Sequence, residues 1–255
     1  MVPKGQWGRE ISTWLNNRLI EPTSTHLADR SLELAAEAGR ALLPVNSESR
    51  VMKGKSARPT YQLPIPHDAV CFADRIRTEK QLQSYAVINP GASWPSKRWD
   101  NQRFGSSGSY LYRNRFIRSV LTWAGPEEKA MVTEIASFDP DAFVIAPPTS
   151  LPELAAVIEK ASLFIGCDTG PLHIAAAVGT PCVGLYGTTR PQDSGAWPYA
   201  DPTPHVALQQ WHQSGSCRKR RSAPNDAMMD ILAADVFKAC DQILDRVSEA
   251  SRKTA

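Results

Sequence analysis

From residue 85 onward the chain alternates between two kinds of segment, and this alternation limits its fold more than any other feature. Short apolar runs at 86–89, 119–124, 142–146, 163–167 and 182–186 have strand length and are mostly bounded by Gly, Pro or Asp. Helical windows lie between them at about 101–112, 127–137, 151–161 and 171–178. Strand, helix, strand at this spacing reads as repeated βαβ units, because parallel neighbours must be joined by a crossover. The expected class is therefore α/β, with a Rossmann-like parallel sheet. Ligands of such sheets bind at the carboxyl ends of the strands, so the loops there are the place to look for chemistry.

The flanks read differently. Residues 25–43 (THLADRSLELAAEAGRALL) place Leu27, Leu34, Ala38 and Leu42 at near-helical spacing, with Ser24 or Thr25 as N-cap, and predict an amphipathic helix. The stretch PVNSESRVMKGKSARPTYQLPIPHD that follows is rich in Pro, Ser and charge and reads as a linker or exposed excursion. Near the other end, 235–249 (DVFKACDQILDRVSE) carries Val236, Phe237, Cys240, Ile243, Leu244 and Val247 on one helical face. The sharpest charge cluster, Arg218-Lys219-Arg220-Arg221, reads as a solvated loop before that helix; contact with anionic lipid head groups or an acidic acceptor is the alternative. The expected division is an N-terminal helix and linker over 1–80, a Rossmann-like domain over 81–215, and a basic loop with a C-terminal helix over 216–255.

Composition excludes several classes. With 42% hydrophobic and 22% charged residues in 255, the chain is globular rather than disordered. A net charge of +3 does not argue for a nucleic-acid binder. The cysteines (Cys71, Cys167, Cys182, Cys217, Cys240) are odd in number and form no C-x-x-C pair, so neither a disulfide framework nor a zinc finger is expected, and a reducing compartment fits better. The opening MVPKGQWGREIST has no apolar h-region and no run of 18 apolar residues occurs. A soluble, cytoplasmic protein is the expectation.

Three loops can carry chemistry. In GCDTGPLHIAAAVGTP (166–181) a strand ends at Asp168 and a helix opens with Pro171 in its first turn and closes at Gly179. Gly170 admits a ligand to the backbone, the free N–H groups of the opening turn make an anion site, and Asp168, Thr169 and His173 stand beside it. The plainer reading is that Asp168 or Thr169 only caps the helix and His173 is a surface residue. In NPGASWPSKRW (89–99) Ser93 and Ser96 supply hydroxyls and Lys97 and Arg98 positive charge, as a diphosphate clamp requires; alternatively its tryptophans merely pack on the next helix. In WAGPEE (123–128) a carboxylate could accept from a ribose or sugar hydroxyl, or both glutamates could simply complement the helix dipole.

In order and interval, residues 85–190 resemble the C-terminal half of glycosyltransferase family 9, the ADP-heptose:lipopolysaccharide heptosyltransferases. The matching pieces are NPGASWPSKRW followed by Phe104, WAGPEE, and GCDTGPLHIAAAVGTPCVGLYGTTRP, of which D-T-G-x-x-H-x-A-A-x-x-G-T-P is the most specific. Gly8-Arg9-Glu10 with Asn17-Arg18 resemble the segment before that family's interdomain linker. Met228-Met229-Asp230-Ile231 and the helix from Asp235-Val236 resemble its close. The resemblance implies a GT-B fold, two Rossmann-like domains facing across a cleft, with the C-terminal one holding the nucleotide-sugar donor. It implies that Lys97 holds the donor's phosphates and stabilises the leaving group, helped by Ser93. Glu128 or Glu127 would contact the ribose and Asp168 the heptose hydroxyls, while Thr169, the Gly170 backbone and His173 would line the pocket. The implied donor is ADP-heptose, transferred with inversion to a lipopolysaccharide inner-core acceptor without metal or cofactor. The implied setting is cytoplasmic, with peripheral contact at the inner face of the cytoplasmic membrane. The histidines (His26, His67, His173, His205, His212) are scattered and form no metal-ligand cluster.

The sequence departs from the family pattern in two places. Nothing in residues 1–80 reads as the family's first strand, Gly-rich loop and base-bearing aspartate, so the acceptor lobe is expected to be missing and no general base is assigned. Some members have a cysteine-rich stretch before the last helix, where here only Cys217 stands and Arg218–Arg221 follow; the structure of 212–228 is left open. Three other readings remain: a non-catalytic or partner-dependent nucleotide-sugar-binding module, an enzyme using another sugar nucleotide, and a GT-B epimerase, which would need an acid–base pair that is not seen.

Overall fold

The structure is a computed structural model describing residues 2–3, 19–42, 63–197 and 204–254. The described residues fall into two compact units, one formed by those before 62 together with Gln192–Ser194 and the other by the rest. In the first unit β1 (Val2–Pro3) and β2 (Leu19–Ile20) pair in parallel, Val2 opposite Leu19 and Pro3 opposite Ile20. The sequence reading expects no strand there. Helix α1 (Leu27–Leu42) follows. Ser24 does not cap it: its hydroxyl, like that of Thr23, donates to the Glu33 carboxylate, at 2.6 and 2.5 Å. Burial acts to raise the pKa of Glu33, and these bonds outweigh it and lower it. Gly8, Arg9, Glu10, Asn17, Arg18 and the linker segment 44–62 lie outside the described residues.

The second unit is built on a six-stranded, wholly parallel sheet: β3 (Tyr85–Asn89), β4 (Arg118–Leu121), β5 (Phe143–Ile145), β6 (Leu163–Cys167), β7 (Cys182–Leu185) and β8 (Val206–Leu208). Their order across the sheet is β5-β4-β3-β6-β7-β8. The chain starts in the middle, runs out to one edge, then crosses back to lay β6 beside β3, with Ala86 opposite Leu163 and Asn89 opposite Gly166. That reversal opens a crevice between the carboxyl ends of β3 and β6.

Side chains alternate across the strands and make two cores. Ala86, Ile88, Leu121, Ile165 and Leu185 face one side. There they meet Phe104 and Leu111 of α3 (Asn101–Arg115), Val132 and Ile135 of α4 (Gly125–Ser137), and Val236, Cys240 and Ile243 of α10 (Ala233–Thr254). Tyr85, Val87, Val120, Val144 and Phe164 face the other side. They pack on Ala69, Ala73 and Ile76 of α2 (His67–Glu79), on α5 (Leu151–Glu159) and on Leu172 and Ala175 of α6 (Gly170–Ala177). This doubly wound arrangement explains the nearly continuous apolar character of the strands.

The helices start where their first turns are satisfied. Asp100 caps α3 by accepting from the Arg103 N–H at 3.0 Å, Ser150 and Glu153 form a reciprocal capping box on α5, and α4, α5 and α6 each carry a proline in the first turn. Gly179, at φ +85°, closes α6 in the left-handed conformation that a helix C-terminus favours.

Three elements differ from the sequence reading. Helix α2 falls inside the segment read as N-terminal helix and linker, yet it covers one face of the sheet and belongs to the second unit. β8 is a sixth strand that the sequence pattern does not predict. The basic run is not a loop: Cys217–Ser222 forms α8, capped by Ser216, which accepts from the Lys219 N–H at 3.3 Å. Short helices at Pro191–Ser194 (α7) and Asp226–Met229 (α9) complete the helices of the described residues. Among the described residues no helix is long and apolar enough to cross a membrane.

Candidate functional site

The crevice at the sheet's reversal point is lined by the loop after β3 and the turn between β6 and α6. The β3 loop leaves on Asn89, whose amide donates to the carbonyl and hydroxyl of Thr122, both at 3.2 Å, tying it to the end of β4. A single 3₁₀ turn at Pro95–Lys97 then presents Lys97. The Trp99 indole behind it is buried, donates to the Ile231 carbonyl at 3.0 Å and packs edge-on against Phe104. The expectation that the loop's tryptophans pack on the following helix therefore holds for Trp99. It does not hold for Trp94, whose ring carries the Lys97 ammonium at 4.7 Å and the Arg221 guanidinium at 5.0 Å.

Lys97 and Asp168 meet across the crevice. The ammonium donates to Asp168 Oδ2 at 2.7 Å and to the Asp168 carbonyl at 3.0 Å. Asp168 is 5% exposed. Thr189, in the loop after β7, donates to the same Oδ2 at 2.6 Å, and His173 Nε2 stands 3.4 Å from Oδ1. Burial alone would raise the Asp168 pKa, but the His173 contact, the Lys97 charge and hydrogen bond and the Thr189 hydroxyl outweigh it and hold it at about 2. With these partners Asp168 is thus an anion throughout the physiological range.

The α6 turn does not cap itself. Thr169 sits at the N-cap position, but its hydroxyl donates back to the Cys167 carbonyl at 3.3 Å and makes no cap bond to the helix. Gly170 is exposed and faces open space, since an added Cβ would meet nothing within 4 Å. In that turn Pro171 has no N–H and those of Leu172 and His173 donate to the Thr169 carbonyl at 3.1 and 3.4 Å, so the Gly170 N–H is the group open to an acceptor from a ligand.

The third loop joins the first through Glu128. Its Oε2 accepts from the Ala124 N–H at 2.7 Å, and its carboxylate lies so close to Gly91 that a Cβ there would overlap it. Glu127 points outward, paired with Arg98 at 2.6 Å, which lowers its pKa. Both glutamates lie in the first turn of α4, where they also complement its dipole. Ser93 is exposed on the loop after β3.

Of the residues nominated from sequence, Lys97, Asp168 and His173 form one contact cluster, with Thr169 and Gly170 in the adjoining turn. Glu128 and Gly91 form a second cluster at the ends of β3 and β4. Sequence reasoning overlooked Thr189, for which a signal was available: GTT (187–189) begins one residue after β7, beyond Tyr186. It also misread the basic run. Arg220 donates from Nη1 to the Thr188 carbonyl at 2.6 Å while its own carbonyl accepts from Ser96 Oγ at 2.6 Å, and Asn225 donates to the Arg98 carbonyl at 2.9 Å. These bonds fasten α8 and the turn after it to the site loops, so the run is neither a loop nor fully solvated. No group of three or more His, Cys, Asp or Glu side chains among the described residues is placed to hold a metal ion.

A sequence profile for glycosyltransferase family 9 (heptosyltransferase) matches residues 5–225. Lipopolysaccharide heptosyltransferase 3 of Escherichia coli is 36% identical over 169 residues, 64% of this chain and 47% of that protein. The lipopolysaccharide core heptosyltransferase OpsX of Haemophilus influenzae is 28% identical over 195 residues, 74% of this chain and 48% of that protein. The chain thus spans about half the length of the curated relatives it matches. Among solved structures, a family 9 glycosyltransferase from Veillonella parvula superposes with TM-score 0.68 at 22% identity, over 90% of this chain and 63% of that one. The E. coli heptosyltransferase WaaC with ADP superposes with TM-score 0.61 at 19% identity, over 91% and 62%. At these identities the superpositions show a shared fold, with the sheet described above as its Rossmann-like part.

Proposed function

The chain belongs to glycosyltransferase family 9, and from that premise we propose that it binds ADP-heptose and serves the transfer of heptose to a lipopolysaccharide inner-core acceptor. The observation that carries the proposal is the Lys97–Asp168 pair at the sheet's reversal point, where a cation for phosphate and an anion for sugar hydroxyls stand within a hydrogen bond of one another.

In this reading the bond from the heptose anomeric carbon to the diphosphate oxygen breaks as an acceptor hydroxyl oxygen attacks from the opposite face. Negative charge grows on the departing diphosphate. Lys97 and the Gly170 N–H at the start of α6 stand beside it and stabilise that charge more than the ground state's. Asp168 accepts from heptose hydroxyls and His173 and Thr169 line the same pocket. Glu128 accepts from the ribose, with Glu127 beyond it on the rim and Ser93 beside the phosphates. The acceptor's proton needs a base on the far side of the sugar, and no residue is assigned that role. No metal or cofactor is given a role. The setting proposed is the cytoplasmic side of the membrane, with peripheral contact where the acceptor lies.

Calorimetric titration with ADP, followed by ADP-heptose, tests the reading. Wild type should bind both, and Lys97→Ala should weaken ADP at least about tenfold by removing a charge-assisted hydrogen bond. ADP affinity that survives this substitution unchanged would remove Lys97 from the phosphates. A preference for another sugar nucleotide would leave the fold assignment and change the donor.

A further inference from the structure

The charges around the crevice do not balance for a diphosphate if only the residues nominated from sequence are counted. Lys97 is paired with Asp168 and Arg98 with Glu127, so both cations of the loop after β3 already face carboxylates of the same site. Among the described residues no ion pair is formed by Arg218, Lys219, Arg220 or Arg221. Unspent positive charge is therefore concentrated on α8 rather than on the loop after β3.

That helix is not free to drift. Ser96, one residue before Lys97, donates to the Arg220 carbonyl, and the Arg220 guanidinium donates to Thr188, the neighbour of the residue that holds Asp168. Arg220 Nε is buried and has no acceptor in the protein. Anchored in this way, the turn sets the exposed Arg221 over the Trp94 ring that Lys97 also covers. Both cations thus stand within 5.0 Å of one indole centroid, so Trp94 holds Arg221 near Lys97. Such an arrangement suits a ligand group of high negative charge with oxygens on more than one side, and a guanidinium matches phosphate geometry in a way an ammonium does not.

Resting on the nucleotide-sugar reading above, we propose that Arg221 is a second cation of the diphosphate site, with Arg220 as the positioning residue that fixes it there. The basic run then recognises the nucleoside diphosphate of the donor rather than a lipid surface. Arg221 is exposed, so its replacement leaves the core intact.

The test is titration of the full chain with ADP and AMP, for wild type, Arg221→Ala and Arg221→Lys, beside co-sedimentation with phosphatidylglycerol-containing vesicles. Arg221→Ala should weaken ADP about tenfold and AMP less than about threefold, and Arg221→Lys should recover part of the ADP loss. Vesicle binding should be the same for all three proteins. Unchanged ADP affinity in Arg221→Ala, with Lys97→Ala still impaired, would overturn the role of Arg221 and leave the donor site standing. Loss of vesicle binding with ADP affinity retained would overturn it in favour of a lipid-facing run. A wild type that binds no ADP would remove the nucleotide-sugar reading itself, and Arg221's role with it.

Discussion

Lys97 reaches across the crevice to both ends of one residue: its ammonium donates to the Asp168 side chain at 2.7 Å and to the Asp168 carbonyl at 3.0 Å. The two-point contact fixes the cation against the end of β6, so the loop after β3 is positioned by a residue 71 positions away in sequence.

Asp168 should make the fold acid-sensitive. Its folded pKa of about 2 lies below the ordinary aspartate value, so its contribution is present above about pH 4 and is lost as pH falls through 2. The shift corresponds to about 2 kcal/mol. Urea unfolding at pH 7, 4 and 2.5 should show Asp168→Asn losing less stability on acidification than wild type. Parallel curves for the two proteins would mean the carboxylate is not the titrating group.

Gly91 and Glu128 should behave as a unit. A methyl group at 91 displaces the Glu128 carboxylate and breaks its bond from the Ala124 N–H, which should cost about 1 kcal/mol and weaken ADP binding severalfold. The obstacle is the end of a flexible side chain, so the protein should still fold. In a Glu128→Ala background, Gly91→Ala should have almost no further effect on either property. Additive losses would show that the methyl clashes with something else.

Trp99 is structural. Buried, hydrogen-bonded to Ile231 and edge-on to Phe104, it should cost about 3–5 kcal/mol on replacement by Ala, read as a lower urea midpoint. A drop below about 1 kcal/mol would mean that the loop after β3 does not depend on this anchor.

The ion pairs joining α3 to α10 should contribute little. Arg115 pairs with Asp241 at 2.8 Å and Asp245 at 2.9 Å on the surface. Arg115→Ala should cost less than about 1 kcal/mol, and the difference should shrink further in 1 M salt. A larger loss at high salt would show that packing of the arginine stem, not charge, holds the two helices.

What the sequence revealed of this fold follows from where its signals are local. The run 163–167 reads as a strand and is one over the same residues, because five apolar positions stand between Ser162 and the Asp168-Thr169-Gly170 turn. Helix α2 was not legible. Prolines 64 and 66 precede it, and its buried face rests on Ala69, Ala73 and Ile76, too small a stripe to stand out from its charged neighbours. Three-residue β8 at the sheet's edge leaves no periodicity to detect. The residues of the crevice could be nominated from their loops, since Gly, Lys, Asp and His at strand ends carry a local signature. The role of the basic run could not. It is fastened by Ser96 to a main-chain carbonyl and by Arg220 to another, and backbone acceptors have no identity in a sequence. Four consecutive cations look the same whether they face water or a site.

The crowding of Asp168 has a consequence for selectivity. Before any ligand arrives, its oxygens already receive Lys97 and Thr189, with His173 near, so occupation of the crevice is an exchange of partners and not the filling of a vacancy. If the crevice takes the proposed donor, a bare diphosphate would draw Lys97 away and leave a buried carboxylate short of a partner. A free sugar offers hydroxyls to the carboxylate but nothing to the displaced ammonium. Only a ligand carrying both groups, set apart by one covalent bond, replaces each lost contact with a new one. On the proposed function the pair would work as a coincidence detector, favouring the intact conjugate over either of its two fragments.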